Sequence, residues 1–207
     1  MRVRTFASGP ISTNAFLVID EDTNEAVIFD APPDVLTSLT EAVRDEAVHV
    51  ALLVITHHHW DHIGDAHDLA SALGVPVAAH PASVPYLEQP SGGPDPITPI
   101  TVDRLLNEGD VVEIGSLTFD VLYTPGHAKG EITLYTAANQ AMFGGDTLFP
   151  NGYGRTDISG ASDEETLMTL RRLLELPDDV TVYPGHGATT TIGAERPWMA
   201  RMTRGAR

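Results

Sequence analysis

Short, largely apolar runs separated by glycine, proline and polar turn residues recur along the chain, a pattern that predicts β-strands. The most apolar run spans residues 48–55, and a strand that is covered on both faces has this composition. This run ends at Thr56, so the histidines that follow it are placed at the end of a buried strand. Further strands are predicted at residues 3–7, 15–19, 25–29, 75–79, 111–114, 117–123, 131–136, 140–143 and 180–183.

Apolar residues spaced three to four apart, with typical helix-starting and helix-ending residues beside them, predict helices between the strands. The segment 81–99 has six prolines and two glycines, which predicts a surface loop. Helices and strands are interleaved and no linker divides the chain, so we expect an α/β fold with residues 1–207 as one domain. The predicted helices begin after Pro32-Pro33, span residues 65–73 before Gly74, and span residues 164–176 with Ser162 or Asp163 as the N-cap.

The composition excludes some classes of binding partner and some types of catalytic or structural site. Acidic residues outnumber basic ones 29 to 12, and the formal net charge is −17. Such a surface repels nucleic-acid phosphates and anionic membranes, so neither is an expected partner. The lack of cysteine excludes a disulfide scaffold, a thiolate zinc site and a cysteine nucleophile. There is no signal-peptide pattern and no apolar run of about 20 residues, so a cytoplasmic location is expected by default.

The segment after the buried strand carries the clearest chemical signal, with four possible metal ligands in six residues. Residues two apart on an extended backbone face the same way, so His57 and His59 can present imidazoles to one cation. If the chain turns at Trp60, Asp61 and His62 can reach a second cation about 3.5–4 Å from the first. Imidazole nitrogen and carboxylate oxygen suit zinc, and also iron or manganese.

Three further candidate ligands follow other predicted strands, and each comes directly after a glycine. Glycine lets the backbone turn sharply and approach a ligand closely. A run of surface histidines would not predict such placements at other strand ends. The sequence therefore predicts a two-metal centre with the ligands His57, His59, Asp61, His62, His127, Asp146 and His186.

The H-x-H-x-D-H motif, with His127, Asp146 and His186 in this order and spacing, resembles the metallo-β-lactamase superfamily over essentially the whole chain. The resemblance implies a four-layer αβ/βα sandwich, in which two mixed β-sheets are flanked by helices and the metals lie at one edge between the sheets. It also implies how the ligands divide: His57, His59 and His127 on one metal, Asp61, His62 and His186 on the other, and Asp146 bridging both.

Such a centre favours a hydrolytic reaction. A divalent metal lowers the pKa of bound water from ~15.7 to about 7, so hydroxide is available as the nucleophile at neutral pH. Asp61 and Asp146 are the candidate catalytic residues, since they can hold charge and accept a proton from the nucleophile. The expected cofactors are two divalent metal ions, zinc in the first place, with iron or manganese as alternatives.

The segment 147–157 resembles the loop of glyoxalase II-like proteins, the hydroxyacylglutathione hydrolases. This resemblance implies a small-molecule thioester as the substrate. In the longer enzymes a Lys and a Tyr of this loop help hold glutathione, and here Arg155 and Asp157 stand at those positions. The candidate substrate-binding residues are Arg155, Tyr153 and Lys129. Bracing of the loop by an Arg155–Asp157 pair is an equally good interpretation.

The segment 184–196 resembles the end of the shorter bacterial members, whereas the longer enzymes add a C-terminal helical domain with further basic contacts to glutathione. The thiol carrier is therefore left open. A persulfide dioxygenase of the same fold is one alternative, with a single iron on His57, His127 and Asp146. A lactonase or β-lactamase would use the same two-metal site, whereas the acidic surface disfavours a nuclease. A non-enzymatic metal-binding module is disfavoured because it needs no bridged pair with an open site.

Overall fold

A computed structural model describes residues 1–204 and contains two β-sheets of six strands each. Both sheets are mixed, because each combines parallel and antiparallel neighbours. The first sheet has the order β1 (Arg2–Ser8), β2 (Thr13–Ile19), β3 (Glu25–Phe29), β4 (His49–Val54), β5 (Val77–Ala79) and β6 (Arg104–Leu105). The second has the order β12 (Thr190–Thr191), β11 (Thr181–Tyr183), β10 (Ala141–Phe143), β9 (Ile132–Thr136), β8 (Leu117–Tyr123) and β7 (Val111–Ile114).

Side chains of successive strand residues point to opposite faces, and this alternation builds the layers. Along β2, Phe16 and Val18 point to the space between the sheets, while Leu17 and Ile19 point to the outer face. Aromatic rings stack between the two sheets, with the centroids of Phe29 and Phe143 4.5 Å apart. The core between the sheets therefore joins the two halves of the chain.

Helices cover the outer face of each sheet, which gives the predicted four layers. Leu39 and Leu69 of two helices pack on the first sheet, and Leu170 and Met199 of two others pack on the second. The fold class is confirmed as two mixed sheets flanked by helices. The helices are α1 (Leu36–Glu46), α2 (Trp60–Ile63), α3 (Ala66–Leu73), α4 (Val84–Glu88), α5 (Asp163–Leu173) and α6 (Ile192–Thr203).

The sequence predicted a surface loop over residues 81–99, but only part of this segment is a loop. It begins with a 3₁₀ turn at Pro81–Ser83 and continues as α4, and only then becomes irregular. Proline is compatible with the first turn of a helix, where its missing N–H would have no partner, so Pro81 and Pro85 start these helices rather than preventing them. Within residues 1–204, no helix combines the length and apolar character needed to cross a bilayer.

Helix α6 was missed by the sequence analysis. Gly193 and Pro197 lie inside it, and both are unfavourable in helix interiors. Tertiary contacts offset that cost: Ile192 and Met199 are buried against the second sheet, and the Glu195 carboxylate accepts a hydrogen bond from the Asn151 backbone N–H at 2.7 Å. Within the helix, the same carboxylate accepts a hydrogen bond from the Trp198 indole at 2.5 Å. The helix thereby holds the loop that follows β10, which borders the functional site.

Candidate metal centre

All seven predicted ligands lie at one edge of the sandwich, because each follows a strand that ends at that edge. His57 and His59 come after β4, whereas His127, Asp146 and His186 come after β8, β10 and β11. The structure brings their nitrogen and oxygen atoms into three groups whose members lie within 4.8 Å of one another. These groups are His57, His59 and His127; His57, His62 and Asp146; and Asp61, His62 and His186.

The local backbone explains how one short segment contributes four of these side chains. His59 has an extended conformation, and the rings of His57 and His59 lie on the same side, with centroids 4.7 Å apart. The ring of His58 points elsewhere and stacks on Tyr86. Helix α2 begins at Trp60, at the expected turn, and one helical turn carries the next two ligands toward the same point.

In three of the rings, those of His57, His62 and His127, a contact to Nδ1 from outside the cluster leaves Nε2 facing the other ligands; Nε2 of His127 lies 2.8 Å from Nδ1 of His59. The Nδ1 atom of His62 donates to Asp30 Oδ2 at 2.7 Å, and Nδ1 of His127 donates to the Arg155 carbonyl at 2.9 Å. The Nδ1 atom of His57 lies 3.2 Å from Thr56 Oγ1, whose hydrogen is donated to Asp30. Such outer partners set the tautomer and the orientation of metal-binding histidines.

Asp146 lies between the two sides of the cluster. Its Oδ1 is 3.3 Å from His62 Nε2, and its Oδ2 is 3.4 Å from His127 Nε2 and 3.6 Å from His186 Nε2. Asp61 lies on one side only, where its Oδ2 is 3.3 Å from His186 Nε2 and accepts a hydrogen bond from Thr13 at 2.8 Å. This placement suits a bridging carboxylate at Asp146 and a terminal one at Asp61.

The cluster contains buried polar atoms that have no partner among the described residues. They include Nε2 of His57, Nε2 of His62 and Oδ1 of Asp146. Such atoms cost free energy when they are left unpaired, and each of these three belongs to a predicted ligand in the cluster. The donor set of imidazole nitrogens and carboxylate oxygens therefore fits divalent metal ions such as zinc, iron or manganese.

The pKa values in the cluster follow from burial and from close charges. Burial lowers the pKa of His57 well below its usual value, and the ring of His62 lowers it further. Burial also opposes the charged form of His62, but the carboxylates of Asp146 and Asp30 raise its pKa well above the usual value. For Asp61, burial raises the pKa, while the hydrogen bond with His186 and the charge of His62 lower it to about 2. Asp61 is therefore an ionised carboxylate at neutral pH.

Two glycines allow the ligand loops to pack this closely. Gly145 has a φ of +52°, and a Cβ there would collide with Thr56. A Cβ at Gly185 would collide with the Asp146 carboxylate and the His62 ring. Side chains at these two positions would force the loops apart, which is the physical reason why glycine precedes Asp146 and His186.

The sequence analysis missed several residues that support the ligands. Asp30 is 2 % exposed and contacts both His62 and Thr56, yet it was not singled out. Its position directly after β3 is the signal that could have found it, because the other ligand segments also follow strands. Glu131 lies shortly after His127 in the sequence, which allows a pocket-lining residue but favours a polar strand-edge one; the structure buries it completely. Burial, and next the Asp146 carboxylate, raise the pKa of Glu131 well above its usual value.

A cavity of about 520 Å³ opens directly over the cluster. One side is formed by ligand side chains, and the rest by Trp60 and four rim residues, which are Ile11, Phe149, Arg155 and Ile158. The Arg155 side chain is 66 % exposed and forms an ion pair with Asp157, with Nε 2.7 Å from Oδ1. Arg155 thus borders the cavity and pairs with Asp157, an arrangement compatible with either interpretation of the sequence.

Tyr153 and Lys129, the other two candidate substrate-binding residues, are placed away from this cavity lining. The ring of Tyr153 packs against Trp198, with centroids 6.1 Å apart, because α6 covers that side of the loop. Lys129 is exposed, and its carbonyl accepts a hydrogen bond from Ser83. Of the three candidates, Arg155 alone lines the cavity of about 520 Å³, whereas Tyr153 lines a much smaller one of about 10 Å³ beside His127 and Asp146.

The comparisons with known proteins agree with this geometry. The family described as the metallo-beta-lactamase superfamily matches residues 8–186, so the chain belongs to that superfamily. Hydroxyacylglutathione hydrolase GloC of Haemophilus influenzae is 32% identical over 192 residues, which are 88% of this chain and 89% of that protein. The superfamily consists mostly of metallo-hydrolases that bind divalent metals, and the His and Asp cluster matches that class.

Solved structures give the same fold and different chemistries. The crystal structure of BLEG-1 B3 metallo-beta-lactamase has a TM-score of 0.90 and 33% identity, and covers 98% of this chain and 100% of that one. TTHA1623 in a di-iron-bound form has a TM-score of 0.84 and 34% identity, with 94% and 97% covered. ETHE1 from Myxococcus xanthus has a TM-score of 0.82 and 28% identity, with 98% and 85% covered.

Proposed function

We propose that this protein is a dinuclear metal-dependent hydrolase that cleaves small thioesters, in the manner of glyoxalase II-like enzymes. One observation carries the proposal: seven nitrogen- and oxygen-bearing ligand side chains converge, with buried unpartnered atoms, under a cavity of about 520 Å³. A cavity of this size suits a small molecule. The relative named hydroxyacylglutathione hydrolase supports the choice of a thioester among the possible acyl substrates.

The ligand groups suggest how two ions would be held. His57, His59 and His127 would hold one ion, and Asp61, His62 and His186 would hold the other, with Asp146 shared. We propose zinc for both positions, because tetrahedral zinc accepts this combination of nitrogen and oxygen donors. When bound, the ions lower the pKa of water and polarise the scissile carbonyl.

The protein's own groups would orient the reactants. Thr13 holds the Asp61 carboxylate by donating to Oδ2 at 2.8 Å. With a pKa of about 2, Asp61 is ionised at neutral pH and can accept a hydrogen bond from the attacking water. The Asp146 carboxylate, whose pKa is also held well below its usual value by His62 and His186 against the effect of burial, holds negative charge between the two ligand groups.

The rim of the cavity would bind the non-reacting part of the substrate. Ile11, Phe149 and Ile158 give this rim an apolar surface, which suits an acyl chain or the methylene groups of a thiol carrier. Arg155 is the cation that the rim supplies, and its planar guanidinium can bind a carboxylate with two hydrogen bonds. Arg155 is therefore our candidate substrate-binding residue. A cytoplasmic site of action remains part of the proposal.

A β-lactam is the second candidate substrate. The similarity to BLEG-1 B3 metallo-beta-lactamase covers nearly all of both chains, and a β-lactam is cleaved by the same attack of water on a carbonyl. The persulfide dioxygenase alternative, raised by the sequence, is included in the test. The group formed by Asp61, His62 and His186 favours a second metal over a single iron on His57, His127 and Asp146.

One purification followed by parallel assays tests the proposal. The metal content per chain is quantified, and the same sample is assayed with S-lactoylglutathione, simpler acyl thioesters, a lactone and a β-lactam. Oxygen uptake is measured in parallel with glutathione persulfide. We expect two metal ions per chain and the highest kcat/KM for a thioester. One iron per chain with oxygen uptake, or a β-lactam as the best substrate, would overturn the thioester assignment.

A further inference from the structure

Glu131 lies directly before β9, buried beneath the metal-ligand cluster, and no step of the proposed reaction uses it. Its Oε1 accepts a hydrogen bond from the Asp146 backbone N–H at 2.9 Å. The same oxygen lies 3.9 Å from His57 Nδ1. Its other oxygen, Oε2, is buried and has no hydrogen-bond partner among the described residues. A carboxyl group in this setting requires an explanation.

We propose that Glu131 is a positioning residue that strengthens metal binding, by fixing the Asp146 loop and by adding a buried negative charge behind His57. The inference rests on the metal centre of the proposed function, but it does not depend on which substrate is cleaved. Glu131 touches no substrate in this proposal. It acts through Asp146 and His57.

The charges around Glu131 support this role. A buried carboxylate is costly unless a cation balances it, and within residues 1–204 no lysine or arginine forms an ion pair with Glu131. The titratable groups beside it are His57 and His62 together with two carboxylates, Asp146 and Asp30. Neighbouring carboxylates make a further negative charge less favourable, so the protein by itself does not explain why an acidic side chain is buried here.

Two divalent ions would supply the missing positive charge. They bring four positive charges to the cluster, and Asp61 and Asp146 bring two negative ones as direct ligands. Asp30 and Glu131, both buried next to ligand residues, bring two more. The ions would offset the charge of the Glu131 carboxylate, which burial and the neighbouring Asp146 carboxylate disfavour in the protein alone.

The backbone contact adds a geometric role. Asp146 follows Gly145, which has no side chain with which to hold the loop in place. The hydrogen bond from the Asp146 N–H to Glu131 therefore fixes the residue whose carboxylate lies between the two ligand groups. Outer partners of this kind typically change metal affinity or activity about 10–100-fold when they are removed.

Replacing Glu131 by glutamine distinguishes the effect of its charge on metal binding from the effect of its packing and hydrogen bond. Glu131→Gln keeps an oxygen that can accept from the Asp146 N–H and keeps the volume, but it removes the negative charge. Glu113→Gln, at an exposed position of β7, is the matched control. Metal affinity is measured by competition of zinc with a chromophoric chelator, and the cobalt-substituted forms are compared by their visible absorption spectra. Melting temperatures of the metal-free proteins report on folding.

We expect Glu131→Gln to bind zinc about 10–100-fold more weakly than the wild type, with a changed cobalt spectrum and a melting temperature of the metal-free protein that is not lowered. Glu113→Gln should match the wild type. Wild-type zinc affinity in Glu131→Gln would overturn the inference and leave the proposed hydrolase intact. Weaker zinc binding in that variant would support the inference even if the wild type cleaves no thioester, so the two proposals fail separately.

Discussion

The metal-ligand cluster and the rim of the cavity above it differ in how firmly other residues hold their side chains. Every ligand ring that is fully buried has a second contact behind it, such as the contacts of His62 and His57 with Asp30 and Thr56. The rim has few such supports within residues 1–204: Ile11 is 51 % exposed, and the Arg155 side chain is 66 % exposed and is held there by the exposed Asp157. Buried residues thus hold the predicted metal ligands in place, whereas exposed side chains would contact the substrate.

This difference explains why one fold carries several activities. Surface side chains on loops can change with little effect on folding, whereas buried polar networks cannot lose one member without leaving another unpaired. Relatives with about a third of their residues in common with this chain include a hydroxyacylglutathione hydrolase and a B3 metallo-beta-lactamase. We therefore expect substitutions in the cluster to abolish activity, and substitutions at the rim to redirect it.

The largest effect is expected from removing a ligand. His59→Ala or Asp146→Ala should lose bound metal and turnover together, by more than about 100-fold, since loss of an outer partner alone costs about 10–100-fold. Metal content per chain and kcat are measured on the same samples. His67→Ala, at an exposed histidine that contacts the Pro99 carbonyl, is the control and should be unaffected. Full activity in either ligand variant would refute the site.

A smaller effect is expected from the layer behind the ligands. In Asp30→Asn, the amide nitrogen cannot accept the hydrogen bonds that both Thr56 and His62 donate to Oδ2. Metal affinity should fall about 10–100-fold, with the ligands themselves unchanged. The metal affinity is measured by competition with a chromophoric chelator. Asp34→Asn, at an exposed position four residues further on, should bind metal as the wild type does. Equal affinity in the two variants would mean that the cluster does not depend on its buried supports.

At the rim, Phe149→Ala should raise KM about tenfold for a thioester with a long acyl chain and less for a short one. The reason is that the ring would cover apolar surface of the bound substrate, and each buried methylene group is worth about 0.8 kcal/mol. Steady-state kinetics over a series of acyl lengths measures this, with metal content as a check on the site. Met168→Ala, at an exposed position on α5, is the control. A KM increase that is the same for every chain length would contradict an apolar acyl subsite.

The smallest effect is expected at Arg155. Arg155→Ala should raise KM several-fold for a substrate that carries a carboxylate, and leave kcat and the melting temperature nearly unchanged. Surface ion pairs contribute little to stability, so loss of the contact with Asp157 alone should not destabilise the protein. The KM, the kcat and the melting temperature are measured for the wild type and for Arg155→Ala. A lower melting temperature with an unchanged KM would show that the residue only braces its loop.

Much of the fold could be predicted because strand patterns are local. The apolar runs in β2 and β4 predict their strands, and Ser162 caps α5 by accepting a hydrogen bond from the Glu165 backbone N–H as expected. Helix α6 and the two-residue strand β6 were not predicted. Gly193 and Pro197 obscure the helix, and a strand as short as β6 is defined only by its pairing with β5.

The sequence alone determined which side chains could form a metal centre, since candidate ligands of the right chemistry follow predicted strand ends and glycines mark close approaches. The interpretation of residues 1–207 as one domain stays a prediction. Only the tertiary structure decided what lies behind the ligands: Asp30 and Glu131 reach His62 and Asp146 across gaps of 32 and 15 residues. It also placed Tyr153 against Trp198 rather than at the cavity. Such contacts depend on how distant segments pack, and no local pattern records them.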